Sequence, residues 1–233
     1  MSVTYKEIIQ RAEHYGVQDT DYTTRYPCFS AMAESMVRIF SPKCILDIGC
    51  NSGALVKAFA DLKVEAYGVD IAEDALSAAP LDIKKLLYKV NIIEDALPFQ
   101  SEKFNLITAI NIVEHLPDYG CFISEIKRTL KIGGFAYISA PSKLEDLLLY
   151  REGILRGQNH EEKLAHCNVR SKRYLIKSFR ACHLEYVGDL PKEEYKKFVV
   201  SVAPQSKIKR MMVKIYSNSI FPDYRFNLIF RKA

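Results

Sequence analysis

The sequence predicts an α/β fold organised on a largely parallel sheet. Between residues 43 and 141, short β-branched apolar runs alternate with helical patterns, the signature of βαβ units. A chain of 233 residues is long enough for one well-buried core with an appended subdomain. Its residues are 48% hydrophobic and 26% charged, a globular balance that leaves no large disordered region to account for.

The elements follow in order. A helix is expected over 30–40 (S-A-M-A-E-S-M-V-R-I-F), with Ser30 near its cap. Strands fit 44–48 (C-I-L-D-I), 64–70 (V-E-A-Y-G-V-D), 86–90 (L-L-Y-K-V), 104–110 (F-N-L-I-T-A-I) and 134–140 (G-F-A-Y-I-S-A). Helices over 53–61, 72–79 and 119–130 each follow a strand. Beyond Pro141 the pattern loosens. Ser171 is a plausible N-cap for a helix containing Y-L-I-K-S-F-R-A-C, and strands fit 183–189 and F-N-L-I-F-R-K at 226–232. Between them Ile208, Met211, Met212, Ile215 and Tyr216 recur at helical spacing. Lys207, Lys209, Arg210 and Lys214 mostly occupy the opposite face.

Composition narrows the function classes only a little. A net charge of +5 is compatible with an anionic substrate, a membrane surface or nucleic acid, and selects none. The opening M-S-V-T-Y-K-E-I-I-Q has no basic segment leading into an apolar one, and no apolar run approaches the roughly 18 residues of a spanning helix, so a cytoplasmic protein is expected. Six cysteines are scattered with no C-x-x-C pair, which favours reduced thiols over disulfide staples or structural zinc.

The turn after the first strand, I-L-D-I-G-C-N-S-G at 45–53, carries the sharpest signal. Gly49 and Gly53, lacking Cβ, would allow close approach of a ligand and open the next helix. A dinucleotide fingerprint needs G-x-G-x-x-G, and a P-loop needs a following G-K-S/T; this turn is G-x-x-x-G with neither. It has instead a carboxylate, Asp47, two residues before its first glycine, suited to an ammonium group and poorly suited to phosphate. A second carboxylate, Asp70, ends the next strand, where an acid can accept both hydroxyls of a ribose. The ligand required is a nucleoside with a free diol, no phosphate and a cationic amino-acid end; S-adenosylmethionine meets these conditions.

The strings C-I-L-D-I-G-C-N-S-G, A-Y-G-V-D-I, A-L-P-F-Q-S-E-K-F-N-L-I, I-V-E-H-L-P-D and L-K-I-G-G-F-A-Y-I-S-A-P resemble, in order, the successive motifs of class I S-adenosylmethionine-dependent methyltransferases, type 11/23-like and related to ubiquinone-type O-methyltransferases. The resemblance covers about residues 43 to 142. It implies a seven-stranded Rossmann-like sheet, mostly parallel with an antiparallel last strand and helices on both faces. Residues 1–42 would be a helical cap over the cofactor and 43–233 the methyltransferase domain, with a helical insertion at about 190–222. Carried onto this chain, the resemblance puts the backbone of Gly49, Cys50 and Asn51, with Gly53 closing the turn, around the methionine portion, and Asp47 near its amino group. Asp70 takes the ribose diol, and Ile71 packs on adenine. Asn91 stands beside Ile92 in the loop near the adenine amine, with Asp95 as the competing choice. Arg25, with Tyr22 and Tyr26, is expected to fold over the cofactor and meet its carboxylate. S-adenosyl-L-homocysteine would be the product.

The acceptor side centres on N-I-V-E-H, 111–115, beside the expected sulfonium. Neither an Asp/Asn-Pro-Pro-aromatic string nor a Pro-Cys pair occurs there, which argues against base methylation of nucleic acid. The Glu-His pair resembles a Glu-x-x-Glu-His arrangement that can ligate a divalent metal in ubiquinone-type and small-RNA methyltransferases. Here Asn111 replaces the first Glu, so no metal is expected and Asn111 counts among the cofactor-side residues. His115 is then a candidate general base for a hydroxyl acceptor, set against a purely structural role at the following turn. The segment K-L-A-H-C-N-V-R-S resembles the H-x-x-x-x-S stretch of enzymes acting on quinone precursors, sugars or lipid-linked glycans, which makes His166 the second catalytic candidate; a plain surface histidine is the alternative. The expected activity is methyl transfer to oxygen of a small-molecule or glycan acceptor by a monomer or homodimer. Nucleic acid is disfavoured as a partner, and 207–216 is the segment that would make a membrane-surface contact. An RNA ribose methyltransferase and a non-catalytic cofactor-binding module are the alternatives.

Overall fold

A computed structural model describes residues 22–147, 166–194 and 225–233. The described residues open with α1 (Tyr22–Phe40), then run through β1 (Cys44–Ile48), α2 (Ala54–Asp61), β2 (Glu65–Asp70), α3 (Glu73–Ser77), β3 (Leu87–Lys89), β4 (Phe104–Ile110), α4 (Gly120–Thr129) and β5 (Leu130–Pro141). After it come α5 (Lys172–Ala181), β6 (Leu184–Asp189) and β7 (Arg225–Lys232). The seven strands form one sheet in the order β3-β2-β1-β4-β5-β7-β6. Strands β1 to β5 pair in parallel, and β7 inserts antiparallel between β5 and β6.

The two-residue period of the central strands divides the core between the two faces. Ile45, Leu106, Tyr137 and Ile229 point to the face covered by Met32, Ala33 and Met36 of α1 and by Leu55, Val56 and Phe59 of α2. Their neighbours Leu46, Ile107, Ile138 and Phe230 point to the other, where Phe122, Ile123 and Ile126 of α4 and Leu175 and Phe179 of α5 pack. Phe179 stacks on Phe230 at 4.2 Å between centroids. Strands buried on both sides read as continuous apolar runs, which is why β1, fully buried along its length, was visible in the sequence.

The expected seven-stranded sheet with its antiparallel last strand is present. Ser171 caps α5 as anticipated, its Oγ accepting from Tyr174 N at 3.3 Å. Two boundaries differ. The first helix begins at Tyr22, so Ser30 lies inside it and caps nothing. Pro27, within this helix, removes one intrahelical hydrogen bond; the packing of Tyr26, Cys28 and Phe29 beside the α1–α2 core and the Tyr26 hydroxyl on Asp61 at 2.5 Å support the extra turns. Strand β5 starts at Leu130, directly after α4, with an irregular register opposite Phe104 and Leu106. The expected insertion at about 190–222 falls mostly outside the described residues; the basic helix 207–216, Glu161 and Glu162 fall outside them altogether.

Candidate active site

The site lies beyond the carboxyl ends of β1, β2 and β4, where parallel α/β sheets bind ligands. The turn from β1 into α2 holds Gly49, Asn51 and Gly53 at φ +78, +51 and +76. A Cβ on Gly49 would stand 1.9 Å from Ile112 Cδ1, and one on Gly53 would stand 2.7 Å from Ile83 Cδ1. These glycines therefore let the turn fit under protein side chains, a reason the sequence alone did not suggest. The backbone amides of Gly49 and Cys50 both donate to Val69 O, at 2.8 and 3.1 Å, and Asn51 N donates to the Asp70 carboxylate at 2.7 Å. The turn is thus tied to the end of β2.

Asp47 is buried, and the Thr108 hydroxyl, its neighbour in register on β4, donates to it at 2.7 Å. Burial pushes its carboxyl up to about 7; Thr108 opposes the shift, nearby Asp70 adds to it, and Arg25 opposes it. Asp70 also accepts from Ala72 N at 2.9 Å, and its pKa is raised by burial against the pull of these backbone amides and Arg25. Two acids that act on each other, with one guanidinium acting on both, make a site that favours a cationic ligand.

A cleft joins Asp70 to the acceptor side, lined by Gly49, Asp70, Ile71, Asn91, Ile92 and, at its far end, Ile112 and His115. Residues from both halves of the sequence motif therefore share one cavity. Asn91 lines it, but its side chain also closes its own turn: Oδ1 accepts from Ile93 N at 3.2 Å, and Nδ2 donates to Glu94 at 3.0 Å. Asp95 accepts from Asn91 N at 3.0 Å. Tyr26 is turned to Asp61 on α2, while Arg25, on the same helix, acts on Asp47 and Asp70.

On the acceptor side, a 3-10 turn at Val113–His115 sets Glu114 inward and His115 toward the cleft. The loop before α5 is fastened to this turn by Asn168: its N–H donates to Glu114 O at 3.0 Å, and its Nδ2 donates to Leu116 O and Pro117 O at 2.8 and 3.2 Å. Tyr119 Oη donates to Asn168 O at 3.1 Å. This clamp brings His166, 51 residues further along the chain, edge-on to His115 with ring centroids 4.8 Å apart. Asp146 Oδ1 stands 2.7 Å from His166 Nδ1. Asn111, at φ +57, is occupied by Arg225, the first residue of β7, which donates to its Oδ1. Arg225 also donates to Glu145 Oε1 at 2.7 Å from Nη2 and 3.1 Å from Nε.

Glu114 is raised to about 7 by burial, with Arg225 pulling it down and Glu145 and Asp146 adding to the rise; its Oε2 has no hydrogen-bond partner among the described residues. Glu114, His115 and His166 each offer a ligand atom within 4.8 Å of the other two. The residues fit a divalent ion: an orphaned carboxylate oxygen beside two imidazoles is a recognised donor set. The expectation of no metal rested on Asn111 alone and did not count a histidine from a distant loop. Thr108, Asp146, Asn168 and Arg225 were all missed by sequence reasoning, because each matters through a partner far away in the chain.

A family model described as a methyltransferase domain matches residues 22–187, more than half the chain. The chain belongs to the methyltransferase-domain family. It is similar to the ubiquinone biosynthesis O-methyltransferase of Bradyrhizobium sp. (strain ORS 278), 34% identical over 97 residues that make up 41% of this chain and 38% of that one. The enzyme of the same description from Idiomarina loihiensis is 32% identical over 101 residues, 42% of each chain. The chain thus aligns with about two fifths of the length of these curated relatives. Among solved structures, geranyl diphosphate C-methyltransferase from Streptomyces coelicolor A3(2), in complex with Mg2+, geranyl diphosphate and S-adenosyl-L-homocysteine, shares this methyltransferase's fold. The TM-score is 0.58 at 17% identity, covering 88% of this chain and 80% of that one.

Proposed function

We propose that this methyltransferase-family protein transfers a methyl group from S-adenosylmethionine to an oxygen of a small molecule. The observation that carries the reading is a cleft that runs from Asp70 to His115, with the buried Asp47 carboxylate close enough to Asp70 for the two charges to interact. Asp47 faces the nucleoside's ammonium and Asp70 its ribose diol, while Gly49, Cys50, Asn51 and Gly53 shape the turn that seats the methionine portion. Ile71 and Ile92 cover the adenine, with Asn91 at its edge. Arg25 meets the carboxylate. Asn111, held by Arg225, fixes the backbone next to the sulfonium. The acceptor class rests on the similarity to ubiquinone biosynthesis O-methyltransferases, and glycan or lipid-linked hydroxyls belong to the same reading.

Methyl transfer is an in-line displacement, so alignment of sulfonium, methyl and acceptor oxygen contributes much of the rate. The hydroxyl must also lose its proton. His115 and His166 stand at the acceptor end, and His166, with Nδ1–H held by Asp146, has Nε2 available to accept that proton. A divalent ion held by Glu114, His115 and His166 would take that same Nε2 lone pair and, in place of the base, supply Lewis acidity that lowers the hydroxyl's pKa.

Calorimetry with S-adenosylmethionine and S-adenosylhomocysteine tests the reading. Asp70→Ala should weaken both ligands, by on the order of 1.5–3 kcal/mol for each charged hydrogen bond lost. His115→Ala should leave nucleoside affinity nearly intact while slowing methylation of hydroxylated aromatic acceptors. Absence of binding by the unmodified protein would sink the proposal.

A further inference from the structure

Thr108 falls between the family motifs, which break off at Ile107 and resume at Ile112. It is nevertheless fully buried beside Asp47, its partner in the β1–β4 register. Its Oγ1 stands 2.7 Å from Asp47 Oδ1 and 3.4 Å from Leu46 O. One hydroxyl proton thus has two acceptors within reach, and the oxygen that carries it can itself accept. An ionised Asp47 can only accept, so the Thr108 proton then points to Oδ1. With Asp47 protonated on Oδ1, the carboxyl O–H donates to Thr108 Oγ1 and the hydroxyl proton turns to the Leu46 carbonyl, the longer bond. Both charge states keep their hydrogen bonds by rotation of one O–H. Tyr137, opposite Thr108 on β5, sends its own hydroxyl to Asn227 at 2.7 Å.

We infer that Thr108 is a positioning residue for the cationic end of the nucleoside: its hydroxyl holds the Asp47 carboxylate in one place through a change of charge, so that the acid can be neutral in the empty fold and ionised beside an ammonium without rebuilding the strand pair. A valine of nearly the same shape would offer neither hydrogen bond. The charged and titratable groups acting around Asp47 are Asp70 at the end of β2, Arg25 of α1 and the Cys50 thiol in the next turn. Donation from Thr108 favours the ionised acid, whereas burial and Asp70 oppose it. Removing the hydroxyl should therefore move the titration of Asp47 to higher pH, and ammonium binding with it.

Thr108 acts on the nucleoside only if the proposed function holds, whereas its grip on Asp47 belongs to the empty fold, so the two are measured apart. The full chain, isotopically labelled at its aspartate carboxyl carbons, is titrated by NMR without nucleoside, and Asp47→Asn identifies the Asp47 signal. Thr108→Val should raise the Asp47 midpoint by about one pH unit, with Thr108→Ala in its place should valine not fold; Thr108→Ser, which keeps the hydroxyl, should leave it unmoved. Calorimetry with S-adenosylhomocysteine, which carries the same ammonium, then compares affinities. Thr108→Val should bind about 5–10-fold more weakly at about pH 6 to 7 and no more than about 2-fold more weakly at about pH 8. A packing defect would weaken binding equally at every pH. That uniform loss, an unmoved Asp47 midpoint in a folded valine or alanine variant, or a serine variant that shifts as valine does would overturn the inference. A shifted Asp47 midpoint in a protein that binds no nucleoside at any pH would support the grip on Asp47 and count against the proposed function alone.

Discussion

Asp47 sits one residue before the end of a strand buried along its whole length, and the position of its carboxylate was readable from the sequence because strand ends in parallel sheets face the ligand edge. Its energetic state was not, because that depends on Thr108 from another strand and on burial. The folded pKa of about 7 lies above the ordinary 3.8, so the fold binds this proton more tightly than the unfolded chain does. Its contribution to stability is therefore full at low pH and is lost as pH rises through about 7. An ammonium ligand needs the ionised form, which reverses the trend for binding. Affinity for S-adenosylmethionine should rise between about pH 6 and about pH 8, and Asp47→Asn should flatten that rise. A series of calorimetric titrations checks this, and a pH-independent wild type would contradict it.

At the level of elements, β1, β2, β4 and α5 matched their sequence patterns within a residue or two, since apolar runs and the Ser171 cap are local signals. The start of α1 and the length of β5 did not, because a helix carrying an internal proline and a strand starting at a helix end are decided by packing. The second histidine of the site was picked out by resemblance; its delivery to His115 depends on Asn168, an unremarkable residue in an irregular stretch. Asn168→Ala deletes both side-chain hydrogen bonds to the 116–117 carbonyls. It should cost about 1–3 kcal/mol in urea unfolding and reduce methyl transfer, while nucleoside affinity is kept. Unchanged turnover in a destabilised variant would separate the clamp from the chemistry.

For the whole molecule, the cleft draws residues from the ends of β1 and β2 and from the turns after β1, β2, β3 and β4, so a bound nucleoside tethers several elements at once. S-adenosylhomocysteine at about 100 times its dissociation constant should stabilise the fold by about 2.7 kcal/mol, seen as a concentration-dependent rise in melting temperature. A melting curve that ignores the ligand would contradict this. The sheet order carries one more consequence. Among the described residues β6 pairs with β7 alone, and β7 is also the strand that delivers Arg225 to Asn111 and Glu145. During synthesis β6 must therefore wait until residues 225–232 follow it out of the ribosome, and until then β5 keeps an open edge and Asn111 and Glu145 lack their guanidinium partner.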